Sequence, residues 1–335
     1  MTIKVGINGM GRIGRMVLRA IFEDKNNNIV IKHINNRSNS EVSASLLKYD
    51  SIHGKFNADL KFKKNCLIIN NKTISYSQES SIENIDWKNR DVDYVLECTG
   101  KFNSKDKLLS HIKNGAKKVI VSAPCKNADK TIVYGVNEKV LSKKDKIISA
   151  ASCTTNCLAP VANILNDNFK IEKGFMTTIH AFTSDQRILD NSHKDPRRAR
   201  SASQSIIPTS TGASKSIGEI IPSLKGKLEG VAMRVPIPNV SLIELIFCTK
   251  KQLTKDAINN IFIKASKKKS KKIIDITYEK LVSIDFNHNS ASAIIDTSLT
   301  SVVKKNMGKI SAWYDNEWGF SNRMCDLLKY LHNNS

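Results

Sequence analysis

No apolar run in this sequence approaches the roughly 20 residues that a helical membrane span needs. It also contains no internal repeat. The N-terminus, "MTIKVGINGMGRIGR", lacks the charged leader and apolar core of a signal peptide and enters a strand at once, so a cytoplasmic location is expected. The seven cysteines, at 66, 98, 125, 153, 157, 248 and 325, are scattered and odd in number, unlike the disulfide framework of a secreted domain. Acidic residues are few beside basic ones, 31 against 53, and the formal net charge is +22. Such a surface attracts nucleic acid or anionic substrates. Lysine runs such as "KKKSKK" (Lys267–Lys272) are not interleaved with stacking aromatics, however. The charge therefore reads as decoration of exposed faces, with no membrane partner and no dedicated nucleic-acid partner expected.

The chain has 335 residues, 40% of them hydrophobic, enough for two domains that each bury a core. "TIKVGI" (Thr2–Ile7) is a short β-branched strand, and glycines follow at 9, 11 and 14. A helical pattern through Val17, Leu18, Ala20 and Ile21 comes next, then a second strand, "IVIKHI" (Ile29–Ile34), that ends on Asn35, Asn36 and Arg37. A strand, glycine turn, helix and strand in about 35 residues form the dinucleotide-binding βαβ unit. The glycines let backbone approach a pyrophosphate, whose charge suits a helix N-terminus. "DYVLECTG" and "KKVIVSAP" read as further strands around a helix from Ser104 to Asn114, which sets Thr99 and Ser122 at strand ends where open α/β sheets bind ligands. "KIISAAS" (Lys146–Ser152) ends this half.

After residue 153 the runs "GFMTTIHAF", "GVAMRVPIPNVSLIELIFCTK" and "SASAIIDTSLTSVV" are long and β-like. "TKDAINNIFIKASKK" is an amphipathic helix, and "NRMCDLLKYLHN" reads as a C-terminal one. A mixed or antiparallel sheet is expected. The polar, basic segment from Ser184 to Ser210 is too long for an ordinary connection and predicts a functional or interface loop.

"ISAASCTTNCLAP" holds Cys153 and Cys157. No other Cys/His pair stands at a spacing that would complete a structural zinc site, so no metal is expected. A thioredoxin-like pair needs two intervening residues rather than three. Two small buried thiols remain an alternative. Position favours a nucleophile: if a helix starts just after Ser152, the Cys153 thiol lies over free amides and the positive dipole end, which favour thiolate. Cys157, one turn on, is then an ordinary buried thiol. Pro160 falls inside that helix and by itself suggests a start nearer 159; a kinked helix reconciles the two. His180, in the apolar stretch "MTTIHAFT", is the candidate base.

Taken in order, "NGMGRIGR", "KYDSIHGKF", "SAP", "ASCTTNCLAP", "TTIHAFT", "IIPTSTGASK", "MRVPIPNVS" and "WYDNEWGFSNR" resemble phosphorylating glyceraldehyde-3-phosphate dehydrogenases from residue 3 to about 331. The resemblance implies an α/β protein: a Rossmann NAD(P)-binding domain over residues 1–152, and an α+β catalytic domain with a mixed/antiparallel sheet over 153–316. It implies also a C-terminal helix, 317–335, returning to the first. Cys153 would attack glyceraldehyde 3-phosphate, His180 would take the proton as hydride leaves, and inorganic phosphate would cleave the thioester. Thr183, Arg198 and Arg234 resemble the substrate-phosphate residues, and Ser152, Thr154, Thr211 and Gly212 those for the attacking phosphate. Gly9, Arg12 and Ile13 match the pyrophosphate loop, and Asn316 the asparagine that orients the nicotinamide carboxamide. The basic segment after Ser184 matches the loop at the subunit interface of a homotetramer.

Three departures bear on the cofactor. Asn36, followed by Arg37, stands where the family carries an acidic ribose ligand. Asn191-Ser192 replaces the Leu-Pro of NAD-specific relatives, and Ser192 resembles NADP-using ones. A family arginine near the adenine is replaced around Ser80. NADP, with NAD also accepted, is therefore expected. Erythrose-4-phosphate dehydrogenase is the nearest rival, through "DFNHNSASAIID", "NEWGF" and "ASQSIIP"; the retained "PTSTGASK" favours glyceraldehyde 3-phosphate.

Overall fold

The computed structural model describes residues 2–267 and 273–334; beyond Lys267, the lysine run named above lies outside the described residues. The chain divides into two compact units. The first comprises Met1–Tyr134, Glu138–Ser152 and Ser321–Ser335; the second comprises Gly135–Asn137 and Cys153–Phe320.

The first unit opens with β1 (Ile3–Asn8), α1 (Arg12–Glu23), β2 (Ile29–Asn35) and α2 (Ser40–Lys48). A small hairpin, β3 (Tyr49–Asp50) with β4 (Gly54–Lys55), leads to β5 (Leu60–Lys63), β6 (Cys66–Ile69) and β7 (Lys72–Ser77). Then come β8 (Tyr94–Glu97), α3 (Lys105–Lys113), β9 (Lys118–Val121), β10 (Lys130–Thr131) and β11 (Ile147–Ser149). Nine strands form one sheet in the order β10-β11-β9-β8-β1-β2-β7-β6-β5. Its seven strands from β10 to β7 are parallel, while β6 and β5 extend it antiparallel. β8 and β9 are buried along their whole length, as parallel strands covered on both faces should be. Val95, Val119 and Val121 pack there with Trp87, Leu108 and Ile147.

The order reverses beside β1: the chain goes to β2 on one side and returns to β8 on the other. That reversal opens the crevice in which such sheets bind ligands. Sequence reading identified the strands of this crevice and missed β5, β6 and β7, which are short and partly exposed, with lysines in β5 and at the start of β7. In the C-terminal helix α7 (Trp318–Asn333), residues from Ser321 on group with the first unit, where Lys329 pairs with Asp24 at 2.7 Å.

The second unit opens with α4 (Cys153–Phe169), β12 (Ile171–Ala181), β13 (Ile207–Ser210) and α5 (Ala213–Ile220). It continues through β14 (Leu228–Val235), β15 (Ser241–Thr249), α6 (Lys255–Ser266), β16 (Ile274–Thr277), β17 (Ala293–Asp296), β18 (Ser301–Val303) and β19 (Met307–Tyr314). Its mixed sheet runs β13-β14-β12-β15-β19-β17-β16, with β18 on β19. Two of the long β-like runs are interrupted. "GVAMRV" and "SLIELIFCT" are separate strands because "PIPNV" intervenes, and "SASAIIDTSLTSVV" breaks at a helical turn over Thr297–Leu299. α4 runs unbroken from Cys153 through Pro160, so the start expected from the cysteine, rather than the one nearer 159 that proline alone suggests, is the one adopted.

Candidate active site and dinucleotide pocket

In the first unit the turn after β1 is built by its glycines. Gly9 has φ +97°, and a Cβ there would lie 2.8 Å from the Thr99 amide nitrogen. A Cβ on Gly14 would fall 2.0 Å from the Gly9 carbonyl oxygen. Gly11, the N-cap of α1, is different: a Cβ there would meet nothing within 4 Å. The space beside it is open, as a cradle for a pyrophosphate requires. A pocket over this crevice is lined by Asn8, Gly9, Gly11, Asn35, Asn36, Arg37, Glu79, Thr99 and their neighbours. Four of the expected cofactor residues therefore share one pocket: Gly9, Asn36, Arg37 and Thr99. The Arg12 guanidinium instead grips Asp50 through two bonds, at 2.5 and 3.0 Å. Burial alone would raise the Asp50 carboxyl, but Arg12 and the His53 and Ile52 amides hold it well below its usual range. Ile13 lies in the first turn of α1, and the Ser122 amide donates to the Glu97 carbonyl at 3.0 Å.

Asn36 has a fixed orientation. Its Oδ1 accepts from the Met10 amide at 3.2 Å, and its Nδ2 donates to Ser43 Oγ at 3.2 Å. Tyr76 places its only proton on the Ser38 carbonyl at 2.6 Å, so Ser43 donates to Tyr76 across 2.7 Å and accepts from Asn36. The remaining N–H of the Asn36 amide is a donor, which suits phosphate oxygens.

In the second unit Cys153 is the first residue of α4, and its Sγ lies 3.4 Å from His180 Nε2. His180 Nδ1 is 2.7 Å from the Ala181 carbonyl, which also accepts from Arg234 Nη1 at 3.0 Å. Nδ1 also lies 2.8 Å from Arg234 Nη1, which can only donate, so that nitrogen sits between an acceptor and a donor while Nε2 faces the thiol. Register explains the trio, since His180 on β12 stands opposite Arg234 on β14. Burial and then Arg234 push the His180 pKa down to about 3. Burial pushes the Cys153 thiol up, against the pull of Arg234 and of the Thr154 amide and hydroxyl. The resting pair is thus thiol and neutral imidazole. The helix-terminus argument gave the amide contribution its right sign, but burial outweighs it. Cys157 is fully buried, and its thiol is pushed up further by burial and by Cys153.

Around this pair, Tyr314 sits edge-on to His180, with its hydroxyl 3.0 Å from Thr154 Oγ1 and 2.9 Å from Thr178 Oγ1. Ser241 Oγ accepts from the Ala181 amide at 3.1 Å and donates to Asn316 Oδ1 at 2.9 Å. Asn316 is therefore oriented with its NH₂ as the group left to donate. Val240, just before Ser241, is a buried β-branched residue at φ 64°, a strained position that its surroundings must enforce.

The expected phosphate residues are less uniformly placed. Arg198 reaches Thr209 Oγ1 at 2.6 and 2.8 Å and also bonds Asp185 and Asp195. Any anion at Arg198 must therefore displace or bridge those carboxylates. Thr183 bonds Gln186 through both its amide and its hydroxyl. Thr211 Oγ1 accepts the Ala213 amide at 3.2 Å, and Gly212 caps α5. Ser192 lies exposed, with its carbonyl held by Arg187, and Ser152 is half-buried. Residues that sequence reading missed include Tyr314, Ser241, Asp185 and Glu97. Only Glu97 left a signal: a carboxylate inside the apolar strand "YVLEC", which a buried strand tolerates only with partners.

Two family matches divide the chain in the same order. "Glyceraldehyde 3-phosphate dehydrogenase, NAD binding domain" matches residues 3–105, and "Glyceraldehyde 3-phosphate dehydrogenase, C-terminal domain" matches 152–316. Glyceraldehyde-3-phosphate dehydrogenase 2 of Bacillus subtilis is 48% identical over 333 residues, 99% of this chain and 97% of the relative. The Xanthobacter flavus enzyme is 48% identical over 97% of each chain, and that of Geobacillus stearothermophilus 48% identical over 99% and 98%. With half its length and more matched, and with a cysteine–histidine pair and a glycine-built dinucleotide crevice in the two matched halves, this chain belongs to the glyceraldehyde-3-phosphate dehydrogenase family.

Proposed function

We propose that the protein oxidises glyceraldehyde 3-phosphate and phosphorylates the product to 1,3-bisphosphoglycerate, using NAD or NADP and inorganic phosphate. The observation that carries this reading is the 3.4 Å approach of Cys153 Sγ to an imidazole whose far nitrogen is held between the Ala181 carbonyl and Arg234. Cys153 adds to the aldehyde carbon, and its proton passes through His180 to the carbonyl oxygen, giving a hemithioacetal. His180 then removes the hydroxyl proton as hydride departs, leaving a thioester on Cys153. The dinucleotide, bound along the glycine turn, supplies the two-electron acceptor for that hydride. Phosphate attacks the thioester carbon, and the Cys153 thiolate leaves and is reprotonated. Arg234, beside both reacting residues, stabilises the departing thiolate and offers a donor to phosphate oxygens. Arg198 and Thr183 complete the substrate-phosphate site, and Ser152, Thr154, Thr211 and Gly212 receive the attacking phosphate. Asn316 donates to the nicotinamide carboxamide.

NADP use rests on Asn36 and Arg37, which line the pocket in place of a carboxylate, with Ser192 as a further hydroxyl. A cytoplasmic homotetramer belongs to the same reading. It is supported by exposed apolar residues in the long basic segment (Ile188, Leu189 and Ile206) and on the second sheet (Phe175 opposite Ile246). Among the described residues no helix is long and apolar enough to cross a membrane. Steady-state kinetics with glyceraldehyde 3-phosphate and erythrose 4-phosphate, each with both cofactors and with and without phosphate, test the reading. A higher kcat/KM for the tetrose, or turnover indifferent to phosphate, overturns it.

A further inference from the structure

The C-terminal ends of β2, β1 and β8 lie side by side, and each carries a buried polar residue: Asn35, Asn8 and Glu97. Their hydrogen bonds form one directed chain. Asn35 Nδ2 donates to Asn8 Oδ1 at 2.9 Å, and Asn8 Nδ2 donates to Glu97 Oε2 at 2.6 Å. Glu97 Oε1 accepts the Thr99 amide at 2.8 Å and the Thr99 hydroxyl as well. His111 Nε2 lies 3.2 Å from Glu97 Oε2, while its Nδ1 faces the Trp87 indole nitrogen at 2.9 Å. An indole N–H only donates, so the His111 proton is on Nε2 and points at Glu97. The far end is held too, because Asn35 Oδ1 accepts from the Glu79 amide and from Ser77 Oγ, each at 2.8 Å.

Asn8, Asn35 and Thr99 line the dinucleotide pocket, whereas the Glu97 side chain is wholly buried. Thr99 presses against Gly9, whose missing Cβ leaves room for it. We propose that Glu97 is a positioning residue for the cofactor: its carboxylate fixes the orientation of Asn8 and Asn35 and holds Thr99 against the glycine turn, giving the pocket floor a single arrangement. The inference rests on the reading that this pocket holds the dinucleotide. Four donors converge on Glu97, and only a carboxylate accepts from all of them. A glutamine would turn its NH₂ either toward Thr99 or toward Asn8 and His111. Reversing Asn8 to relieve that clash sets it against Asn35, and reversing Asn35 gives up Glu79 and Ser77. Reversing the His111 tautomer gives up Trp87. The mismatch therefore reaches the pocket whichever way it is resolved.

The test is calorimetric titration of the full chain with NAD, well below the melting temperature, in Glu97→Gln and in Glu97→Gln combined with Asn8→Asp. The single variant should bind NAD about tenfold more weakly, as expected when a charge-assisted buried bond is lost. The double variant restores the order on the pocket side, since Asp at 8 accepts from both Gln at 97 and Asn35; the mismatch left at His111 lies toward Trp87 and away from the pocket, so most of that affinity should return. The alkylation rate of Cys153 reports that the second unit is intact. Wild-type affinity in Glu97→Gln, even with a lower melting temperature, means that Glu97 only supports the fold and overturns the inference. Equal weakness in the single and double variants overturns it as well. Should Glu97→Gln not fold, the double variant is compared with Asn8→Asp, which sets two carboxylates face to face and should bind worse than the double; the reverse order overturns the inference. Gly11→Leu, which fills the open space of the crevice, tests the parent reading separately: unchanged NAD binding there means that the pocket itself is misassigned.

Discussion

Replacing Asn36 with aspartate puts a carboxylate where the family resemblance implies an acidic ribose ligand, and the structure separates its two consequences. The first is local. Asn36 donates to Ser43, which donates to Tyr76, which donates to the Ser38 carbonyl. An aspartate has no proton to give, so Ser43 must turn to it and the Tyr76 oxygen loses its donor. One neutral hydrogen bond of this kind contributes about 1 kcal/mol, and its loss falls on both cofactors alike. The second is electrostatic and selective. Two unit charges about 4 Å apart interact by about 4 kcal/mol at an effective dielectric of 20 and about 1 kcal/mol in water. Asn36 is half-buried, so about 2 kcal/mol of repulsion toward the 2′-phosphate of NADP is expected, about thirtyfold. The wild-type enzyme should use NADP efficiently and accept NAD, and Asn36→Asp should shift the ratio of kcat/KM values toward NAD by about that factor. Steady-state kinetics with both cofactors measure it. A wild-type preference for NAD above about a hundredfold, roughly 2.7 kcal/mol, refutes the reasoning, and so does a shift under about threefold in the variant.

Cys153→Ala should abolish phosphorylating activity and stoichiometric alkylation by iodoacetate, while Cys157→Ala, which touches only the buried thiol, keeps most of both; the opposite result would reverse the assignment. His180→Asn should slow turnover by roughly 10²–10⁴, the range for a lost general base. Wild-type turnover in that variant would remove His180 from the reaction. Arg234→Leu should raise the KM for the triose phosphate by about 10–150-fold and leave the KM for unphosphorylated glyceraldehyde little changed. It should also slow Cys153 alkylation at neutral pH and lower kcat on both aldehydes, because the guanidinium that favours thiolate is gone; an equal rise in KM on both aldehydes would remove Arg234 from phosphate recognition. His33 and His180 are both buried, and burial holds their pKa values at about 4 and about 3, against 6.5 when exposed. Below pH 6.5 the unfolded chain therefore binds more protons than the folded one, and stability falls as pH falls. Each imidazole costs up to about 2 kcal/mol between pH 6.5 and 5. Urea midpoints at pH 7 and pH 5 should show the drop, and His33→Gln should lessen it; a midpoint that rises on acidification contradicts the sign.

The glycine turn, its flanking strands and the start of α4 were legible because each depends on local chemistry. A β-branched run, glycines at fixed spacing and an apolar helical face carry their meaning within about 35 residues. Strands β5, β6 and β7 were not legible: their short, partly exposed segments become strands only because β7 adds to the edge of β2. The two interrupted runs of the second unit show the converse. Their composition is β-like throughout, but "PIPNV" and the turn at Thr297–Leu299 end the ladders.

The sequence by itself determined which groups are available: one thiol at a helix start, a histidine in an apolar strand, an asparagine and an arginine in place of an acid. Tertiary structure decided their states. Burial rather than the helix terminus governs the resting Cys153 thiol, because removal from water outweighs the amides and Arg234 that oppose it. The register of β12 on β14 set Arg234 beside His180, 54 positions away in the chain. The directed chain Asn35–Asn8–Glu97 exists only because three strand ends meet. Hydrogen-bond direction depends on which donors and acceptors converge in space, and residues that far apart in sequence carry no local signal of that convergence.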